Sequence, residues 1–148
     1  MSLNWWVVKR SLVKRWLADR WRGPTLGEQG ERRAARYLRR LGYRVVATRR
    51  RLRYGEIDIV AVDGKTLVFV EVKTRRSDSA GRPARAVDDL RRRRLTRAAT
   101  AFLKSHGLLE YPARFDIVEV LWPASARRPN ITHHQNAFPA EGRGQFFR

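Results

Sequence analysis

Residues 55–73, GEIDIVAVDGKTLVFVEVK, constrain the fold more than any other stretch of the chain. Two apolar, β-branched runs, Ile57–Val62 and Leu67–Val72, flank Asp63-Gly64. An Asp-Gly pair between such runs is the strongest short-range hairpin signal, because both central turn residues need positive φ. With Asp63 and Gly64 as the loop, Val62 pairs with Lys65, Asp58 with Phe69 and Glu56 with Glu71. Side chains alternate faces along a strand, so Ile57, Ile59, Ala61, Val68, Val70 and Val72 share one apolar face. Glu56, Asp58, Glu71 and Lys73 share the other, at the end far from the turn, and Val60, Leu67 and Phe69 complete it.

A hairpin apolar on both faces thus carries three carboxylates and a lysine at one end. Like charges on paired strands are destabilising. Carboxylates packed this closely need a cation or a proton between them, and a hard divalent ion with oxygen ligands, Mg²⁺ above all, is the natural partner. The plain alternative is a strand end frayed into water with ordinary surface ion pairs. The geometry depends on the loop: a three-residue loop would put Asp58 and Glu71 on opposite faces.

The 148 residues fit one domain with a real core. Lys and Arg number 33 against 14 Asp and Glu, a formal charge of +19. Most of the basic residues are arginine, which suits bidentate phosphate contacts. That is the footprint of a nucleic-acid binder, with an anionic membrane surface or an acidic protein as alternatives. The absence of cysteine removes disulfides, thiolate metal sites and cysteine nucleophiles. No run of apolar residues is long enough to span a bilayer, and the N-terminus lacks the pattern of a signal peptide, so a cytoplasmic location is expected.

Residues 1–24 are read as a basic, Trp-rich N-terminal extension, helical up to Gly23-Pro24. Such a helix suits a membrane surface, base stacking or packing back onto the domain, and a flexible extension fits equally. Helix 25–41 follows, with Thr25 and Glu28 as a capping box and Gly42 as its terminator. Tyr43–Thr48 is a strand, followed by Arg49, Arg50, Arg51 and Arg53. Beyond the hairpin, Thr74–Pro83 is a polar loop. A second helix spans Ala84–Ser105, with Val87, Leu90, Leu95, Ala98 and Phe102 at helical spacing and Arg91–Arg94 projecting outward. A strand follows over Phe115–Trp122. His133 and His134 are adjacent on one strand and point to opposite faces, a poor chelating pair. Residues 139–148 read as a flexible tail.

Asp58 followed by Glu71-Val72-Lys73 resembles the PD-(D/E)xK nuclease signature. More closely, the chain resembles the YraN-like family of small bacterial proteins, through GEQGERRAARYLRRLGYRVV, GEIDIVAVDGKTLVFVEVKTR, the basic helix, RFDIVEV and ITHHQNAF. The resemblance covers residues 25–138. It implies an α/β, restriction-endonuclease-like core, with a mixed central sheet flanked by helices, as in Holliday-junction resolvases. Carried over by position, Asp58 and Glu71 match the metal-binding acids and Lys73 the catalytic lysine. Glu31 matches an additional acid of junction resolvases. Glu56 stands where the signature has proline. Arg49 and Arg91 replace an asparagine and a lysine usual in the family.

These readings combine into a Mg²⁺-dependent endonuclease, with Mn²⁺ as substitute. Asp58, Glu71 and the Val72 carbonyl would hold the ion, with Glu56 supporting them from behind. Lys73 would orient water or stabilise charge, with its pKa expected to rise beside three acids. Arg49, Arg51, Arg53, Arg75, Arg91, Arg92 and Arg93 would hold backbone phosphates without reading sequence. DNA, structured or branched, is the favoured partner, and a homodimer is a weak expectation. A non-catalytic nucleic-acid binder on a nuclease scaffold is the alternative, and a membrane-surface adaptor a distant third.

Overall fold

The computed structural model describes residues 23–77 and 87–142. The Trp-rich segment 1–22, most of the polar loop with the expected start of the second helix (78–86), and 143–148 of the tail lie outside the described residues.

Helix α1, Leu26–Arg40, begins as expected. The Glu28 N–H donates to Thr25 Oγ1 at 3.2 Å and Glu28 Oε2 accepts from the Thr25 N–H at 2.7 Å, which satisfies two amides the helix itself leaves orphaned. Its buried stripe is Gly30, Ala34, Ala35 and Leu38. Gly30 is a packing residue: a Cβ there would meet Thr74 Oγ1 at 1.8 Å, so the helix rests almost directly on the sheet. Gly42, at φ 92°, closes the helix in the left-handed region.

Five strands follow: β1 (Arg44–Leu52), β2 (Gly55–Asp63), β3 (Thr66–Arg75), β4 (Ala113–Leu121) and β5 (Asn130–Phe138). They form one sheet in the order β1-β2-β3-β4-β5. Among the described residues, only β3 and β4 run parallel, and helix α2, Asp89–Ser105, lies between them in the chain. The two helices cover opposite faces. On the α2 face, Val60, Val62, Leu67, Phe69, Phe102, Phe115 and Phe138 pack together, with Phe69 set edge-on to Phe102 at 5.8 Å. On the α1 face lie Ala34, Leu38, Ile59, Ala61, Val68, Val70, Val118 and Val120. This is the expected α/β, restriction-endonuclease-like core. Among the described residues, no helix is long and apolar enough to cross a membrane.

Several sequence expectations are corrected. The hairpin loop is Gly64-Lys65, because Asp63 pairs with Thr66 and Val62 with Leu67. Gly64 alone of the two has positive φ, at 60°, the pattern of a turn with glycine first. The register moves by two, which leaves alternation intact: Val60 faces Phe69, and Val62 faces Leu67. Ile57 departs from it and packs on the α2 face, apart from Ile59. The β2–β3 pairs run no further than Ile59–Val70, and Arg49, which falls between the β1 pairs to Ile59 and Ile57, adopts φ 49°. The β1 register runs on past this point, with Arg50 opposite Ile57 and Arg51 opposite Glu56, while β3 no longer pairs with β2, and the strand turns its faces at Asp58.

Strand β1 does not stop at Thr48 but runs through the arginines to Leu52. Helix α2 starts at Asp89, where the Asp88 carboxylate accepts the Arg91 N–H at 2.8 Å, and the preceding Val87 and Asp88 are not helical. Leu90, assigned to its apolar stripe, is 53% exposed. Strand β5 has only Ile131, Ala137 and Phe138 as apolar signal among polar neighbours. Residues 139–142, expected to be flexible, pack on α2, where the Glu141 N–H donates to Thr96 Oγ1 at 3.0 Å.

Candidate metal and nucleic-acid site

The end of β2–β3 pairing brings the acids together. Asp58 is 8% exposed, and its Oδ2 accepts the Val72 N–H at 2.8 Å. A side chain thus takes an amide that the broken ladder left without a strand partner. Oxygens of Asp58, Glu56 and, from α1, Glu31 come within 4.8 Å of one another. Glu71 sits beside Asp58 and raises its pKa, but it is not a member of that close trio. Both of its oxygens accept from Arg91 Nη2 at 2.9 Å. The expected set of Glu56, Asp58 and Glu71 is therefore divided: Glu31 joins Glu56 and Asp58, and Arg91 occupies Glu71. Helix α1 reaches the same point because Gly30 lets it sit close on β3, and that close approach was not legible in sequence.

Electrostatics marks Asp58 and Glu31 as short of positive charge. Burial, and then the Glu71 charge, push the Asp58 carboxyl up to about 7, against a smaller opposing effect of the Val72 N–H. Burial also raises Glu31, opposed by Arg49 and reinforced by Glu56, Glu28 and Glu71. Glu31 Oε2 lies 3.3 Å from Arg49 Nε as an ion pair, yet this buried oxygen has no partner in hydrogen-bonding geometry. Three oxygen donors, one buried and unsatisfied, suit a hard divalent cation. The donor set therefore fits Mg²⁺ or Mn²⁺, with Glu31, Glu56 and Asp58 as the residues placed to hold it and Glu71 available if Arg91 lets go.

Lys73 is half-buried on β3, two residues beyond Glu71. Its pKa is lowered rather than raised: burial dominates, Glu71 and Glu119 oppose it, and Arg75 and Arg91 add to it. The expectation of a raised value counted acids and left out desolvation and the neighbouring arginines. Glu119 pairs in register with Lys73 across the parallel strands and accepts from His134 Nε2 at 2.9 Å. Neither was anticipated beside the site; only the alternation of RFDIVEV hinted at Glu119.

Several expected phosphate contacts are engaged internally. Arg49 hydrogen-bonds Glu28 as well as pairing with Glu31. Arg51 meets Glu56 at 3.0 Å, and Arg91 is the Glu71 partner. Arg92 lies 4.0 Å from Glu141 and 5.6 Å over the Phe138 ring. Arg53 lies over Tyr54, Arg75 is half-buried at the end of β3, and Arg93 is exposed on α2. The histidines separate as expected: His133 bonds Asp116 on the α1 face and His134 bonds Glu119 on the other.

A mixed five-stranded sheet held between two helices, with acids gathered where its central hairpin stops pairing, has the layout of the PD-(D/E)xK superfamily. Within it, the chain belongs to the uncharacterised protein family UPF0102, whose family model matches residues 30–120. It is 50% identical over 113 residues to a UPF0102 protein of Geobacter sulfurreducens, covering 76% of this chain and 88% of that relative. It is 48% identical over 115 residues to one of Symbiobacterium thermophilum, covering 78% and 97%. With one of Rhodopirellula baltica it shares 39% identity over 154 aligned positions, covering 99% and 92%.

Proposed function

We propose that this protein is a metal-dependent endonuclease that hydrolyses phosphodiester bonds, with structured or branched DNA as the favoured substrate. The observation that carries this reading is the convergence of Glu31, Glu56 and Asp58, with an unsatisfied buried oxygen and an Asp58 pKa pushed up to about 7. Proteins do not keep buried carboxylates apart from cations without cost. A divalent ion here would supply Lewis acidity toward a phosphoryl oxygen and lower the pKa of water. Asp58 and Glu31 hold the negative charge that selects such an ion. Lys73, with its lowered pKa, donates a hydrogen bond to a phosphate oxygen or to the attacking water, and stabilises charge as it develops. Arg91 is poised to exchange Glu71 for phosphate, since guanidinium binds both bidentately.

The test is cleavage of branched, duplex and single-stranded DNA and RNA with Mg²⁺ or Mn²⁺. Wild type should cut, and Asp58→Asn and Lys73→Ala should bind without cutting. Binding without cleavage by wild type under all conditions would leave a non-catalytic binder on a nuclease scaffold.

A further inference from the structure

Among the described residues, the arginines around the acids and those along α1 differ in their partners. Arg49, Arg51, Arg91, Arg92 and Arg114 all pair with acids. Arg32, Arg36, Arg39 and Arg40 are exposed along α1 and, among the described residues, form no ion pair. Their spacing places them in one stripe, opposite the buried Gly30, Ala34, Ala35 and Leu38. Arg32 to Arg40 spans roughly 12 Å of helix. Arg32–Arg36 and Arg36–Arg40 are like-charge pairs four residues apart, which destabilise a free helix. No acid follows Glu31 in α1 to relieve them.

We infer that the outer face of α1 is a second nucleic-acid-binding surface, separate from the face that carries Arg93 on α2. The inference rests on nucleic acid being the partner. The two helices lie on opposite faces of the sheet, so their outer surfaces stand roughly 30 Å apart, two helix diameters plus the sheet. Duplex DNA has a persistence length of about 50 nm, so one straight segment does not touch both. The protein would therefore hold two segments at once. Phosphate backbone is a better occupant than lipid. An interfacial helix buries an apolar face in the bilayer, and the apolar face of α1 is already spent on the sheet, whereas guanidinium groups in a row suit phosphates.

The experiment is a capture assay with the full chain: an immobilised short duplex, then protein, then a second labelled duplex. Wild type should retain the second duplex. Arg36→Gln/Arg39→Gln/Arg40→Gln should still bind the first duplex but lose at least ~10-fold of the second. Its salt dependence at that surface should flatten by about 0.9 per arginine removed. Glutamine is a comparable helix former, and an unchanged melting temperature shows the fold intact. Retention of the second duplex by this variant would overturn the inference, as would a loss confined to anionic vesicles measured in parallel. Failure of wild type to bind any duplex would sink the nucleic-acid reading itself. Bridging without cleavage would sink only the catalytic part.

Discussion

Two buried aspartates, Asp58 and Asp116, sit in neighbouring parts of one sheet and meet opposite fates. Asp116 is fully buried. It accepts from Arg114 Nε at 3.0 Å, His133 Nε2 at 2.8 Å and the Asn136 N–H at 2.9 Å. Burial alone would raise its pKa, but those donors outweigh it and hold the carboxyl below its ordinary value. Asp58 is almost as buried, accepts one backbone N–H, and faces Glu71 and Glu31; its carboxyl is pushed up to about 7. Burial is nearly equal, so partners decide. The Asp116 network, which extends through Arg114 to Tyr43 and Asp63, ties β5 and β4 to the far ends of β1 and β2. Asp58 is left wanting a positive charge, which is what a binding site for a cation requires and a structural clasp does not.

The largest effect that would break this contrast is in stability. Asp116→Ala should cost about 3–5 kcal/mol, since it strands Arg114 and His133 without their common partner. Asp58→Ala should cost far less or stabilise. Chemical denaturation in metal-free buffer checks both. Activity should show the reverse order. Asp58→Asn should lower cleavage at least ~100-fold, while His133→Gln, with its fold intact, leaves most of it.

The pH dependence sharpens the comparison further. The folded-state pKa of Asp58 is raised, so between pH ~4 and ~7 the folded protein holds a proton that the unfolded chain has released. Stability should therefore fall as pH rises through that window, and Asp58→Asn should flatten the fall. Asp116 works in the opposite sense: its folded pKa is depressed, so its contribution is present above the ordinary aspartate value and is lost on acidification below it. Denaturation midpoints across pH, with and without each substitution, read both slopes. The smallest effect is local: Thr25→Ala should cost about 1 kcal/mol by removing the α1 cap, a loss visible in thermal melts and independent of both aspartates.

Period-two alternation was enough to gather Glu56, Asp58, Glu71 and Lys73 at one end of the hairpin, and the register error of two residues does not change parity, but the alternation breaks at Asp58 and does not hold them on one face. Together with turn signals it was enough to find the hairpin and β4, while caps and helical spacing marked both helices. What it missed follows from contacts between distant elements. Glu31 reaches the site only because Gly30 packs against Thr74. Arg91 reaches Glu71 across 20 residues of chain. The break in alternation at Asp58 falls where β2–β3 pairing ends and where Arg49, on another strand, has positive φ, which no local pattern announces. The extent of strand β5 was not legible, since its polar residues, His133, Gln135 and Asn136, are satisfied by Asp116 on β4 and by Tyr43 just before β1.

Glu31, Glu56 and Asp58 are the residues proposed to hold a divalent cation. An ion that binds the folded site but not the unfolded chain must stabilise the fold by mass action, by roughly 2.7 kcal/mol at 100 times its dissociation constant. The most direct measurement is a thermal melt of wild type and Asp58→Asn in EDTA, Mg²⁺ and Mn²⁺ near neutral pH. Metal should raise the wild-type midpoint by several degrees, Asp58→Asn should respond much less, and in EDTA this variant should melt above wild type. A wild-type midpoint unmoved by millimolar metal, with or without nucleic acid, would contradict the proposed site.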